Sequence, residues 1–146
     1  MPFEYKEFSV DPETGDLKFR DQCVPIYSKD RRGDKRFQPQ GYIDLVSLFI
    51  ENAGVPFTKI SLAKQLGVAE NTVRTRLDHI RGCLCFLPLA PSVYGDSLII
   101  SDIIMKGRKY RTEKLSLNTD LLDALAENRP LDDVRTEREK VFSLEL

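Results

Sequence analysis

The feature that most constrains the fold of this chain is a pair of short amphipathic helices separated by a single glycine. Residues 58–84 read TKISLAKQLGVAENTVRTRLDHIRGCL. Thr58 is a good N-cap for the first of these helices, and Gly67 is suited to end it in a left-handed conformation. The helix that follows, from about 70 to 84, carries one narrow apolar face made of Val73, Leu77, Ile80 and Leu84.

The residues around the glycine predict a helix-turn-helix. Ala63 is a small residue where the two helices cross, and Gly67, four positions later, tolerates a positive φ. Val68, Val73 and Leu77 supply apolar anchors that hold the second helix. The alternative is a helix pair that only contributes to a hydrophobic core, and the spacing alone leaves this alternative open.

The residues before this pair predict a small sheet and a buried helix. Alternating apolar residues on either side of the turn DPETGD indicate two or three antiparallel strands within residues 1–27. Pro39 and Gln40 open a helix whose broad apolar stripe marks it as central. Ala53 and Gly54 end that helix.

The residues after the pair predict a loop, a hairpin and two further helices. Pro88, Pro91 and Gly95 indicate a loop over 85–96. Residues 98–115 indicate a β-hairpin that turns at Lys106-Gly107. Asn118 or Thr119 caps a short helix, DLLDALAEN, and Pro130 separates it from a charged helix, LDDVRTEREKVF.

This order of elements predicts an α+β winged helix-turn-helix. An N-terminal antiparallel sheet, residues 1–27, belongs to the same globular unit as a winged helix-turn-helix core, residues 28–115. The core contains three helices and a C-terminal hairpin that serves as the wing. Residues 116–146 form a C-terminal helical extension.

Composition narrows the function classes. The 146 residues carry a net charge of −1, and no apolar stretch approaches the length that spans a bilayer. The N-terminus lacks the pattern of a signal peptide, so we expect a cytoplasmic protein with no membrane association. Three cysteines and one histidine offer too few ligands for a metal site. We therefore expect reduced, partly buried thiols, no metal and no cofactor.

Positive charge is gathered into three islands between acidic ends. Residues 29–36 and 58–82 each carry five basic and two acidic side chains, and residues 105–114 carry five basic and one acidic. The first 28 residues sum to −3 and the tail from Leu115 to −4. A neutral protein can keep a local electrostatic footprint for a polyanion in this way. Taken singly, each island is more often a solvated surface than a binding site.

The third helix and the hairpin supply candidate DNA contacts. Asn71 suits adenine, Thr72 and Thr75 suit a thymine methyl group or a phosphate, and arginines suit guanine or the backbone. Asp78 would repel phosphate, and we expect it in an ion pair on the helix surface. The wing could also be no more than a solubilising hairpin tip. The candidate residues are Asn71, Thr72, Arg74, Thr75, Arg76, His79, Lys106, Arg108, Lys109 and Arg111.

Three stretches resemble the C-terminal DNA-binding domain of OmpR/PhoB-type response regulators. They are FSVDPETGDLKFRDQCVPI, PQGYIDLVSLFIENAGVPFTKISLAKQL and ISDIIMKGRKYRT, and the resemblance covers about residues 3–112. It implies a recognition helix with Arg74 and Arg76, a wing with Arg108, Tyr110 and Arg111, and RNA polymerase as a partner.

This sequence departs from that family at several places, and its acidic tail beyond Leu115 has no counterpart there. Lys109 stands where the family's wing has a glycine. The tight turn GVAEN replaces the long loop through which the family can contact polymerase, and the helix that follows is similar to that of LuxR-type proteins. No receiver domain precedes residue 1, so we expect no phospho-aspartate control.

The leading hypothesis is a sequence-specific double-stranded DNA-binding transcription regulator without a receiver domain. The third helix would enter the major groove, and the wing, residues 98–115, would lie on the backbone or in the minor groove. Residues 116–146 would form a homodimer, or would pack on their own domain. The alternative is a winged-helix protein-interaction adaptor, which the near-zero net charge and Asp78 favour. An enzyme is not expected, because His79 has no nucleophile partner in sequence and no phosphate-binding glycine loop occurs.

Overall fold

A computed structural model of the chain describes residues 3–26, 39–106, 110–136 and 140–145. The fold is α+β, with an antiparallel N-terminal sheet, helices and a long hairpin around one hydrophobic core. The helices are α1 (Gln40–Glu51), α2 (Lys59–Leu66), α3 (Glu70–Leu84) and α4 (Thr119–Ala126).

The N-terminal sheet is an antiparallel meander of four short strands. They are β1 (Glu4–Tyr5), β2 (Phe8–Val10), β3 (Leu17–Phe19) and β4 (Gln22–Val24). The predicted turn lies between β2 and β3, where the Asp11 carboxylate accepts hydrogen bonds from the backbone N–H groups of Thr14 and Glu13. These bonds lower the pKa of Asp11 because they favour the charged form. The predicted antiparallel strands are confirmed, with one strand more than expected.

The helices α1 and α2 begin where the predicted capping residues lie, and α2 also ends at its predicted cap, whereas α1 ends at Glu51, just before the predicted Ala53 and Gly54. Pro39 precedes α1, and α2 begins with a reciprocal capping box in which Thr58 and Ser61 each accept a backbone N–H from the other. Gly67 ends α2 in the left-handed region, with φ of 68°. The predicted face of α3 is buried at 0% exposure, and it comprises Val73, Leu77, Ile80 and Leu84.

Residues 85–96 are not the predicted loop. They contain a small antiparallel hairpin, β5 (Pro88–Ala90) and β6 (Val93–Tyr94). The prolines and glycine suggested irregular chain, but Leu87, Leu89 and Val93 are buried in the core. This burial, together with a hydrogen bond from the Gly95 N–H to the Leu87 carbonyl, holds the segment extended.

The predicted C-terminal hairpin is confirmed as β7 (Ile99–Lys106) and β8 (Tyr110–Leu117). Its register runs from Ile99 opposite Leu117 to Lys106 opposite Tyr110. The turn at 107–109 lies outside the described residues.

The last predicted helix is wrong. Residues 131–136 are turns and bends, and β9 (Lys140–Glu145) lies parallel to β7. The Arg135 guanidinium donates to the Asp102 carboxylate at 2.9 Å and to the Ser101 carbonyl at 2.8 Å, which directs the chain along β7. The strand supplies backbone partners to an edge that would otherwise be open, and such pairing with a distant strand outweighs a local preference for helix.

The first helix of the C-terminal extension, α4, packs on its own chain. Leu121, Leu122 and Leu125 are buried in the core. The Tyr5 hydroxyl donates to the Asp123 carboxylate at 2.7 Å and so fastens α4 to the N-terminal sheet. Burial, followed by this hydrogen bond, raises the pKa of Tyr5 to about 12.

Two glycine substitutions test the turn and the helix that follows it. We expect Gly67→Ala to lower the free energy of unfolding by about 1 kcal/mol, because its φ of 68° strains an L-residue although nothing lies within 4 Å of an added Cβ. The matched Gly82→Ala, which also meets open space but lies inside α3, should raise it by roughly 0.5 to 1 kcal/mol. Urea denaturation measures both, and a stabilising Gly67→Ala would contradict the assigned turn.

A third substitution tests how α4 is fastened. Tyr5→Phe removes the bond to Asp123 and should cost about 1 kcal/mol at neutral pH. Because the folded-state pKa lies above the ordinary value of 10.0, this contribution is complete below about pH 10 and is lost as the pH rises through about 12. Chemical denaturation of both proteins across alkaline pH measures the difference, and a constant difference would contradict the assignment.

Candidate nucleic-acid interface

The outward face of α3 is polar at its first half. Asn71, Arg74 and Thr75 are exposed, and the Thr75 hydroxyl donates to the Asn71 carbonyl at 3.0 Å within the helix. Asp78 and Gly82 continue the exposed face towards the end of the helix. The ion pair expected for Asp78 is not formed with any residue in the described ranges. The face therefore presents hydrogen-bonding groups first and a carboxylate later.

The two candidate arginines of α3 point to different surroundings. The Arg74 side chain is 55% exposed and lies 3.8 Å from the Glu70 carboxylate. Arg76 is half-buried, and its guanidinium lies over Gly41 of α1, where an added Cβ would be 2.4 Å from the Arg76 Cζ. Sequence reasoning treated these arginines as equivalent flanks, because the absence of a side chain at position 41 shows its effect only in the folded chain.

Two other candidates, Thr72 and His79, are half-buried residues of α3. The His79 Nε2 is hydrogen bonded to the Ile26 carbonyl, and its ring lies 5.0 Å from that of Tyr42. The Cys83 thiol donates to the same Ile26 carbonyl at 3.5 Å. His79 therefore holds α3 against its neighbours, whereas the sequence placed it on an open surface.

The hairpin is joined to the start of α2 by backbone and side-chain contacts. Phe57 and Leu115 exchange two backbone hydrogen bonds, each 2.7 Å long. Lys59 lies two residues after Phe57, and Glu113 lies two residues before Leu115. The Lys59 ammonium is 3.4 Å from the Glu113 carboxylate. These contacts fix the position of the hairpin relative to the helix pair.

Only part of the predicted wing can be placed. Arg111 is exposed on β8. Arg108, Lys109 and the side chain of Lys106 lie outside what the structure describes, as does the basic island at 29–36. The structure therefore brings together two of the three basic islands, through α2, α3 and β8.

A charged cleft of about 280 Å³ forms where α2, α3 and β8 meet. Arg74 and Arg111, both predicted contacts, line it together with Lys59, which the sequence analysis did not select. Its position directly after the N-cap Thr58 was the available signal. The lining residues are Thr58, Lys59, Ile60, Glu70, Arg74, Arg111, Thr112 and Glu113.

An apolar groove of about 490 Å³ lies on the opposite flank of α3. Phe86, just beyond the helix, is 77% exposed and forms one side of the groove, and Asp78 is the carboxylate among its lining residues. Sequence reasoning missed it because residues far apart in the chain line it. They are Val24, Pro25, Asp78, His79, Gly82, Cys83 and Phe86.

The three cysteines are free thiols. Cys23 and Cys85 are exposed, and Cys83 is half-buried. Burial raises the pKa of Cys83, which reduces the fraction of reactive thiolate.

Comparisons with known proteins add no relative from which a function could be transferred. The chain matches no family model, no curated protein and no solved structure. Among the helices in the described part of the chain, none combines the length and apolar character needed to cross a bilayer.

Removing either partner of the Lys59–Glu113 pair should have unequal effects. The Glu113 side chain is only 16% exposed. The Lys59 side chain is 25% exposed, and it is longer and more flexible. Lys59→Met leaves a largely buried carboxylate without its lysine and should cost about 1 to 2 kcal/mol of unfolding free energy. Glu113→Gln should cost less, because the lysine can turn towards water. Urea denaturation of both variants measures this order, and the reverse order would contradict it.

Proposed function

We propose that this protein binds double-stranded DNA sequence-specifically as a transcription regulator with a winged helix-turn-helix. The observation that carries the proposal is the charged cleft at the junction of α2, α3 and β8, where three cationic side chains meet two carboxylates beside the exposed polar face of α3. Side chains from three elements converge there, which supports a surface for a polyanion in a chain whose net charge is −1.

In this proposal α3 enters the major groove with its first half. The helix is about 22 Å long, and its N-terminal exposed residues would contact base edges. Asn71 and Thr75 carry the hydrogen-bonding groups for readout, and Arg74 contacts guanine or the backbone. Arg76, Thr72 and His79 would position α3, because each is half-buried.

The β7–β8 hairpin would lie alongside as the wing. Arg111 is exposed near the cleft, and arginine is favoured on the backbone and in the minor groove. The Phe57–Leu115 pairing supports this role, because it holds the hairpin at a fixed angle to the helix pair. Lys106, Arg108 and Lys109 remain candidate contacts from the sequence.

The partners are part of the same proposal. A single module covers little DNA surface, so we propose that the protein acts as a homodimer through the 116–146 region. Since the α4 leucines are buried in their own chain, other surfaces of this region would meet in the dimer. RNA polymerase is a further proposed partner, and the free thiols suit a cytoplasmic location.

One observation favours a second candidate function, a protein-interaction adaptor. The groove beside Phe86 and Asp78 is unsuited to phosphate, since its described lining residues are mostly apolar and include no lysine or arginine. Exposed apolar surface of this kind marks protein contacts. If the protein did not bind DNA, this groove would be the surface through which it binds a protein partner.

Fluorescence anisotropy with a random-sequence duplex across a salt series tests the leading proposal. We expect wild-type binding to weaken steeply with salt, because phosphate contacts release counterions. Arg74→Ala should weaken binding roughly tenfold and lower the salt slope by about one. Arg129→Ala is the matched control. Arg129 is an equally exposed arginine paired with a nearby glutamate, Glu127, and neither residue is among those that line the cleft.

The same salt series distinguishes a residue that contacts DNA, Arg74, from one that positions α3, Arg76. Arg76→Ala should lower the free energy of unfolding while changing affinity less than Arg74→Ala, because its guanidinium packs on α1. No wild-type binding at low salt would contradict DNA binding and favour the adaptor. Equal losses for Arg74→Ala and Arg129→Ala would contradict the assigned surface.

A further inference from the structure

We propose that the cleft binds a backbone phosphate of DNA through Arg74, and that Glu70 pairs with Arg74 when DNA is absent and thereby lowers the affinity for DNA. This inference rests on the proposed function and adds to it a built-in competitor. Glu70 and Glu113 both line the cleft, each beside a cationic side chain. The question is which of these two pairs exchanges its carboxylate for phosphate.

The two pairs differ in burial and in length. Glu113 and Lys59 are 16% and 25% exposed and are separated by 3.4 Å. Glu70 and Arg74 are 46% and 55% exposed and are separated by 3.8 Å, beyond hydrogen-bonding distance. The Lys59–Glu113 pair is therefore the shorter and the less solvent-exposed of the two.

Burial decides which pair can open. If Lys59 moved to a phosphate, the largely buried Glu113 carboxylate would lose the lysine that lies 3.4 Å from it, which is costly in a poorly hydrated site. Glu70, by contrast, is nearly half exposed and would be rehydrated when Arg74 leaves it. Lys59 and Glu113 therefore remain together as part of the hairpin attachment, and Arg74 is the cation that exchanges partners.

Phosphate has the chemistry to replace Glu70. A guanidinium binds phosphate oxygens through two parallel N–H donors, whereas Glu70, four residues earlier on the same helix, lies 3.8 Å from the Arg74 Nη2 and forms no such close paired contact. Arg111 stands on the same cleft and adds positive charge to the phosphate position. Because a phosphate contact carries no sequence information, Glu70 should weaken binding to every DNA sequence similarly.

The test compares Glu70→Gln with Glu127→Gln in the full-length chain, using the random-sequence duplex. Both glutamates are about half exposed and lie beside an exposed arginine, so each substitution removes one charge from an exposed ion pair. We expect Glu70→Gln to tighten binding about twofold to fivefold and Glu127→Gln to leave it unchanged. The gain should shrink as salt screens the Glu70–Arg74 pair.

A double-mutant cycle isolates the role of Arg74. In an Arg74→Ala background, Glu70→Gln should no longer tighten DNA binding, because Glu70 then has no arginine for which it competes with phosphate. A gain that persists there, or one that Glu127→Gln reproduces, would overturn the inference while leaving DNA binding intact. Absence of wild-type binding at low salt would instead overturn the proposed function, and this inference with it. Thermal unfolding of each variant confirms that the compared proteins are folded.

Discussion

The burial of one face of α3 is the interaction on which the rest of this structure depends. Leu77, Ile80 and Leu84 are fully buried, and each such side chain contributes roughly 1.5 to 3 kcal/mol. Arg81, 5% exposed, donates to the Ser101 hydroxyl at 2.8 Å and ties the same helix to β7. Because this face is fixed by the core, the rotation of α3 about its axis is fixed, and so is the set of side chains that faces outward.

The contacts on the two flanks of α3 give it two different surfaces. On one flank, the Phe57–Leu115 pairing brings β8 against the start of α2 and creates a cleft of charged side chains. On the other, His79 is hydrogen bonded to the Ile26 carbonyl, just after β4, and an apolar groove lies beside this contact. A polyanion suits the first surface and a protein suits the second, so a single helix could present both to different partners.

The sequence predicts the elements that local chemistry determines, and it misses those that depend on distant partners. Caps and periodicity locate α1, α2, α3 and the long hairpin, because Thr58, Gly67 and Pro39 act within a few residues of themselves. A helix was predicted over 131–142, where the structure has turns and bends at 131–136 and the start of β9, because the partners of this segment lie in β7, about forty residues away. The site behaves likewise: Arg74 was found from helical spacing, whereas the burial of Arg76 and His79 depends on Gly41 and Ile26.

The most direct test of the central claim is a titration of the ¹⁵N-labelled full-length protein with a mixed-sequence DNA duplex at low salt, followed by backbone amide chemical shifts. If α3 reads DNA beside the charged cleft, the largest shifts should fall on Asn71, Arg74 and Thr75 and on Lys59 and Arg111 across the cleft. Amides around Phe86 and the apolar groove should change little. No shifts, or shifts confined to the groove flank, would contradict the account and identify α3 as a structural or protein-binding helix.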